Sequence, residues 1–459
     1  MFNFHIIKTK TSAAMPSHSQ RVYLLVLLLD LLALAANQLA IHSSTFADAY
    51  SHYVYRVLSL GIGSVMGLLP FSVVELLLYA TILFVLFDFV KQLCRAVRAG
   101  AGCLHPAPAS QAQAVRASQA FLAHAETATN SKGTTSGSAE TQSDEPQQQH
   151  TGAACPTHLL TAVARPLRHF LGHLFLILST LLVLYVFLCG INYHRTSFSE
   201  EAGLSVTIDA HGTVYDEADL IALCDYLVTE INDTETQLDV PYIGQTSETP
   251  KPSAAWLWHA GRTGQRAMEK LGQRYHRLSG HYPYPKPILN TWILSVQQTT
   301  GVYSPFTVEA NYNRDIAYYD IPFTICHELS HLRGYMQEEE ANFIGVLATI
   351  GADDLYFNYS GYVSAWVYAG NALARIDSTA FATLYARINA RTRQDMLYNN
   401  AYWQQFEGKP AEAHEQLNDA YLKMQGQTSG VHSYGHVTDL MLEYFAKSGT
   451  LTQSQGLKN

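Results

Sequence analysis

Three apolar runs in the first 192 residues constrain this chain more than any other feature, because each has to be hidden in protein or in lipid. They extend from about Val22 to Ile41, from Phe71 to Val90 and from Phe170 to Asn192. A helix rising about 1.5 Å per residue needs about 20 mainly apolar residues to cross a bilayer core, and each run supplies them. The first is interrupted by Asp30, Asn37 and Gln38. Its basic start and small-residue end also fit a signal peptide, but further spans follow, so an uncleaved anchor is expected. A carboxylate inside a span is costly, which makes Asp30 a residue to place. Glu75 and Asp88 are expected near the ends of the second span, within reach of the interface.

Short basic flanks set the orientation of spans. Lys8, Lys10 and Arg21 precede the first span, Lys91, Arg95 and Arg98 follow the second, and Arg165 and Arg168 precede the third. On the opposite side only Arg56 and Arg195 lie close to a span. The N-terminus and the 91–169 loop are therefore expected in the cytoplasm, and residues 193–459 outside it. Val57–Leu69 is apolar but too short to cross, and reads as an interfacial or re-entrant segment before Pro70. Residues 99–160 are rich in Ala, Ser, Thr and Gln with few large apolar side chains. Such a stretch cannot offset its chain entropy by burial, so a disordered cytoplasmic linker is expected.

The charge divides with the hydropathy. Residues 1–192 carry 11 Lys and Arg against 8 Asp and Glu, whereas 193–459 carry 18 against 30. A domain that acidic repels phosphate backbones, which excludes nucleic acid as its partner. The 6 cysteines include no Cys-x-x-Cys pair, so neither a disulfide scaffold nor a cysteine zinc ribbon is expected. Whether Cys224 pairs with Cys326 stays open.

Four regions organise the expectation: a membrane anchor over 1–98, the linker over 99–160, a third span within 161–192, and a soluble domain over 193–459. In the last, Leu220, Leu223, Leu227 and Ile231 recur at helical steps across Asp216–Asn232. Pro250–Leu278 reads as a helix, Thr291–Gln297 as a strand and Val302–Asn311 as a second extended stretch. Helices are expected over Ile321–Leu332, Glu338–Ile350 and Ser364–Leu384, and over most of Gln394–Lys447 with a loop at Gly426–Gly435. Strands followed by helices make the domain α+β, mainly helical with a small sheet.

The chemistry concentrates in His327-Glu328-Leu329-Ser330-His331. Residues four apart share a helix face, so both imidazoles can meet one Zn²⁺, and Glu328 stands beside the first as general base. Ile325, Leu329 and Leu332 supply the buried side of that helix. A catalytic zinc needs a third protein ligand and keeps one position for water. Gly334 can adopt the left-handed conformation that turns the chain back, and Glu338, Glu339 and Glu340 open the next helix. Glu338 reaches best toward the histidine pair. Glu339 is expected in solvent, its charge paired with the helix dipole, and Glu340 to the side, toward Arg333 or another basic group.

Three stretches carry a family resemblance: Gly301–Asn311, Pro322–His331 and Glu338–Phe343. With Pro70–Ser72, Asn418–Lys423 and Gly430–Gly435, they resemble a bacterial family of multi-span membrane proteins carrying a domain of unknown function. The resemblance covers nearly all of the chain outside 99–160. The spacing Glu338-x-x-Ala341-Asn342 resembles the glutamate-ligand zinc metallopeptidases, the gluzincins, although the gap from His331 to Glu338 is far shorter than in most of them. That likeness implies a zincin-like peptidase domain on the outer face of the bacterial cell membrane, with zinc on His327, His331 and Glu338 and Asn342 supporting a zinc-bound histidine.

By the same analogy, an edge strand just before the motif holds an extended substrate. That role falls to Thr307, Val308, Glu309 and Asn311, with Glu309 either a solvated turn residue or a group facing a substrate amine. Tyr434 and His436, or else Tyr359 and Tyr362, would steady the oxyanion. The partners implied are a peptide or protein substrate and the lipid bilayer. Alternatives are an amidase acting on cell-wall peptides, and a membrane sensor or scaffold whose zinc is structural.

Overall fold

A computed structural model describes residues 18–104, 156–204, 215–424 and 434–452. Three of its helices are long and apolar enough to cross a membrane, within Ser19–His42, Val73–Ala101 and Val163–His194. They coincide with the three runs read from the sequence, although the second begins at Val73 and continues well past Val90, to Ala101. The expected linker lies largely outside the described residues. Its first residues continue the second long helix, Val73–Leu104, and its last ones begin the third, Pro156–Leu188.

The chain divides into two compact units, one formed by the described parts of 1–79 and 179–459, the other by those of 80–178. The smaller unit pairs the long helices through Asp88, which meets His173 Nδ1 at 2.8 Å and accepts from Gln92 Nε2 at 2.9 Å. Asp88 is buried in this pairing, on a helix that runs on beyond Val90.

In the larger unit, membrane-proximal segments and soluble domain are one body rather than anchor and cargo. Ser43 caps the short helix Ser44–Tyr50 by accepting from Phe46 N. A π-helical turn, Ser51–Tyr55, then leads into Arg56–Gly67. This last helix buries Ser59 and Gly63 and leaves Val57 and Val65 exposed, as is Leu68 just beyond its end. It covers most of Val57–Leu69, the segment expected at the interface. Glu75, at the head of the second long helix, accepts from Leu289 N and Asn290 N at 2.8 and 2.9 Å. Asp30 is buried, and its Oδ1 has no hydrogen-bond partner.

The sheet has three short strands in the order β1-β3-β2: β1 is Lys286–Pro287, β2 Gly301–Ser304 and β3 Glu309–Tyr312. β3 lies parallel to β1 and antiparallel to β2, with Gly301 opposite Tyr312 and Ser304 opposite Glu309. Thr291–Gln297 is not a strand. Trp292–Ser295 is a single helical turn, because its apolar run is too short for periodicity to separate the two conformations.

Asp216 opens the helix Glu217–Gln237 with a reciprocal capping box to Asp219. Ser253 caps Ala254–Arg274. The stretch expected as one helix over Ser364–Leu384 is two, Leu355–Ile376 and Ser378–Arg387, because Asp377 accepts from Thr379 N and Ala380 N and restarts the chain. Ala390–Gln404, Lys409–Met424 and Tyr434–Ser448 complete the chain, and the loop expected between the last two lies mostly outside the described residues. The motif helix Asp320–His331 and the ligand helix Glu338–Ile350 sit at the centre, nearly all of their side chains buried. Ile325 and Leu329 are fully buried; truncating either to Ala costs about 2–5 kcal/mol.

Candidate metal centre

The motif helix ends where its chemistry begins. Gly334 takes a positive φ of 82°, with its N–H donated to His331 O at 2.9 Å, and the chain reverses into the ligand helix. The reversal brings Glu338 over the face that carries both histidines. His327 Nε2 and His331 Nε2 stand 3.2 Å apart, with Glu338 Oε2 3.3 Å from the first and Oε1 3.8 Å from the second. These three are the group of metal-binding character found among the described residues. His331 Nδ1 faces the carbonyl of Tyr335 at 2.7 Å. A carbonyl only accepts, so Nδ1 carries the proton and Nε2 offers its lone pair to the centre.

Two imidazole nitrogens and a carboxylate converging within a few ångströms make a donor set suited to a divalent zinc. Two buried polar atoms beside it, His327 Nδ1 and Glu328 Oε2, have no hydrogen-bond partner. The residues present therefore fit the ion that the motif implies.

Charge at the site is strongly differentiated. Burial works against the charged form of His327, but the hydrogen bond and charge of Glu338 outweigh it and lift the imidazole to about 9. His331 is pushed down to about 4, by burial first and by its charged neighbour His327. Burial would raise Glu338, yet its bond to His327 and the charge of both histidines bring it down to about 2. Glu328 is lifted to about 8 by burial, against the pull of His327. Asn342 lies one turn along from Glu338 and also favours the charged ring of His327, although His327 Nδ1 makes no hydrogen bond within normal geometry.

A cleft of about 1060 Å³ opens over the centre. Its wall includes Gly301, Val302 and Tyr303 of β2, then His327, Glu328, His331, Glu338 and Asn342. Opposite in sequence, the helix Lys409–Met424 contributes Glu412, Glu415, Asn418 and Tyr421. Among the described residues no Lys or Arg lines the cleft, whereas Asp320, Glu328, Glu338, Glu407, Glu412 and Glu415 do. Tyr421 exchanges hydrogen bonds with Tyr185 and Tyr193, each at 3.0 Å. Tyr303 meets Tyr55 at 3.0 Å, and the Tyr55 hydroxyl also donates to His331 O at 3.2 Å.

The structure reassigns the strand expected to hold substrate. Thr307, Val308, Glu309 and Asn311 are all buried, and none lines the cleft. β3 is the central strand, bonded on both edges, so β2 is the edge that faces the centre. Glu309 in particular is committed elsewhere. It forms a buried ion pair with Lys286 and accepts from Val73 N and Val74 N at 3.1 and 2.9 Å. Thr307 donates to Ser304 Oγ at 3.0 Å, and Asn311 to backbone carbonyls of its own hairpin.

His436 is half-buried on the helix Tyr434–Ser448 and does not line the cleft; the side chain of Tyr434 lies outside the described residues. Tyr359 bonds Asp395 at 2.7 Å, away from the centre, and Tyr362 packs on Tyr226. Glu340 does not turn to Arg333: it accepts from Ser199 N and Oγ at 2.9 and 2.7 Å. Glu339 is half-buried rather than in solvent. Cys224 and Cys326 are both free.

Several cleft residues escaped the motif-centred reading, namely Gly301, Tyr303, Asp320, Ser364 and the acidic face of Lys409–Met424. A signal existed for some of them. Gly301, Asn418 and Tyr421 fall inside the runs that carry the family resemblance. No curated protein and no solved structure matches the chain. A family model described as "Protein of unknown function (DUF3810)" matches residues 157–442, more than half of the chain, and the protein belongs to that family.

Proposed function

We propose that this protein is a membrane-anchored zinc metallopeptidase of the gluzincin type, which cuts extracytoplasmic peptides or envelope proteins. The observation that carries the reading is the convergence of His327, His331 and Glu338 on one point, with the Glu328 carboxyl, its Oε2 unpartnered, beside it in an open cleft. When bound, a zinc ion supplies Lewis acidity, which lowers the pKa of water and polarises a carbonyl.

The remaining work belongs to the chain. His327, His331 and Glu338 hold the ion, with the Tyr335 carbonyl fixing the His331 tautomer. Glu328, buried and poised near neutrality, takes a proton from the attacking water and returns it to the leaving amine. The outer edge of β2 offers backbone groups to an extended substrate. A structural zinc would be closed by four protein ligands, whereas three are gathered here among the described residues, which favours catalysis over a sensor or scaffold.

The test uses the full-length protein in detergent, a fluorogenic peptide library and a chelator. Cleavage should vanish on chelation and return with zinc. Glu328→Gln should keep the metal and lose about 10²–10⁴ in rate. Full activity in that variant would refute the mechanism.

A further inference from the structure

Away from the cleft, a hollow of about 230 Å³ is lined by Arg56, Arg195, Arg277 and Arg333, with Asp48 as the carboxylate on its wall. Arg277 meets Asp48 at 3.2 Å and Glu201 at 3.8 Å. Among the described residues the other three have no carboxylate within 4.0 Å, although the charge of Arg195 still acts on Asp48. They are held instead by carbonyls: Arg56 by Ser279 O at 3.1 Å, Arg195 by Arg333 O at 2.7 Å, and Arg333 by His281 O at 2.5 Å. Arg333 also stacks on Tyr282 and Arg195 on Tyr335, with 4.1 and 4.2 Å from guanidinium to ring centre.

A guanidinium has five N–H donors, and these bonds use only part of the supply. Arg333 is 5 % exposed and its Nε has no partner, as is true of the buried Nε of Arg195. The Nη2 atoms of Arg333 and Arg56 converge, 3.2 and 3.5 Å from where a Cβ on Gly280 would stand. Four guanidinium groups share one small hollow whose lining holds one carboxylate, with Glu201 reaching only Arg277, so an entering anion would be attracted there. Their planar forks match the paired oxygens of a phosphate group.

The position of the hollow suggests the source. Arg56 opens the helix that joins the first two long apolar helices, and Arg195 directly follows the third. These were the two basic residues near spans that the orientation argument left over. Val57 and Val65 on the same helix, and Leu68 at its end, expose apolar side chains, as a segment lying among lipid headgroups does. We propose that this hollow binds a phosphate-bearing anion, the headgroup of an anionic phospholipid or a free phosphate compound. The site is independent of the metal reading.

Native mass spectrometry of the full-length protein, released from nanodiscs of phosphatidylcholine with or without phosphatidylglycerol, tests the lipid arm. Melting in detergent with inorganic phosphate against chloride tests the other. Retention of one phosphatidylglycerol assigns the site to lipid. A higher melting midpoint with phosphate and no lipid preference assigns it to a soluble phosphate compound. Arg56→Gln and Arg277→Gln should each weaken the binding seen by roughly ten-fold, Arg56→Lys less, and the distant Arg387→Gln not at all. Arg277→Gln also removes the ion pair of Asp48, leaving its bonds to Thr196, so Arg56→Gln decides if that variant fails to melt cooperatively. Binding of neither probe, or binding unchanged in Arg56→Gln, overturns the proposal.

Discussion

Glu328 and Glu338 both stand beside His327, yet their surroundings drive them to opposite ends of the carboxylate range, about 8 and about 2. The difference lies in contact. Glu338 bonds the imidazole directly, whereas Glu328 Oε1 is 4.0 Å from it and Oε2 meets nothing. Two carboxyls, one fixed as an anion and one able to gain and lose a proton, are what a metal ligand and a general base require. Gly301 keeps Glu328 in place. A Cβ there would stand 2.5 Å from Glu328 Oε1 and 2.7 Å from Thr324 Cγ2. Gly301→Ala should therefore push the carboxyl aside, cutting peptide cleavage about 10²-fold or more while zinc content stays at the wild-type level. Metal analysis alongside the assay separates that outcome from loss of the ion. The motif was legible because His, Glu and His carry their chemistry in their spacing. The role of Gly301 was not, since it depends on a strand edge meeting a helix distant in sequence.

At the scale of elements, the sheet is tied to the membrane-proximal helices by buried charge. Lys286 on β1 pairs with Glu309 on β3 and donates to Met66 O at 2.7 Å, while Glu309 caps the start of the second long helix. Lys286→Met leaves that carboxylate buried without its cation. The variant should lose about 3–5 kcal/mol, read as a lowered melting midpoint of the full-length protein in detergent. An unchanged midpoint would mean that the helix N–H groups alone neutralise Glu309. The ligand helix was legible to the residue, because apolar periodicity and three opening acids mark Glu338–Ile350 unambiguously. The strand order was not. β2 and β3 form one hairpin in sequence, and only the parallel pairing with Lys286–Pro287 decides which is the edge.

Over the whole molecule, the division into anchor and soluble domain is where the sequence misleads most. Hydropathy separates residues before and after 192, but packing joins 18–79 to 179–452 in one unit. Tyr55 reaches the last turn of the motif helix, and Tyr185 and Tyr193 reach Tyr421 on the far wall of the cleft. A 193–459 fragment, stripped of the Tyr55 and Tyr185 contacts, should fail to give a cooperative melt while the full chain gives one. The most direct test of the central claim is the zinc content of the purified full-length protein and its variants. The account predicts one zinc per chain in wild type, Glu328→Gln and Glu339→Ala, with affinity weakened at least roughly 100-fold in His331→Ala and Glu338→Ala. A metal-free wild type, or zinc held equally well without Glu338, would contradict it.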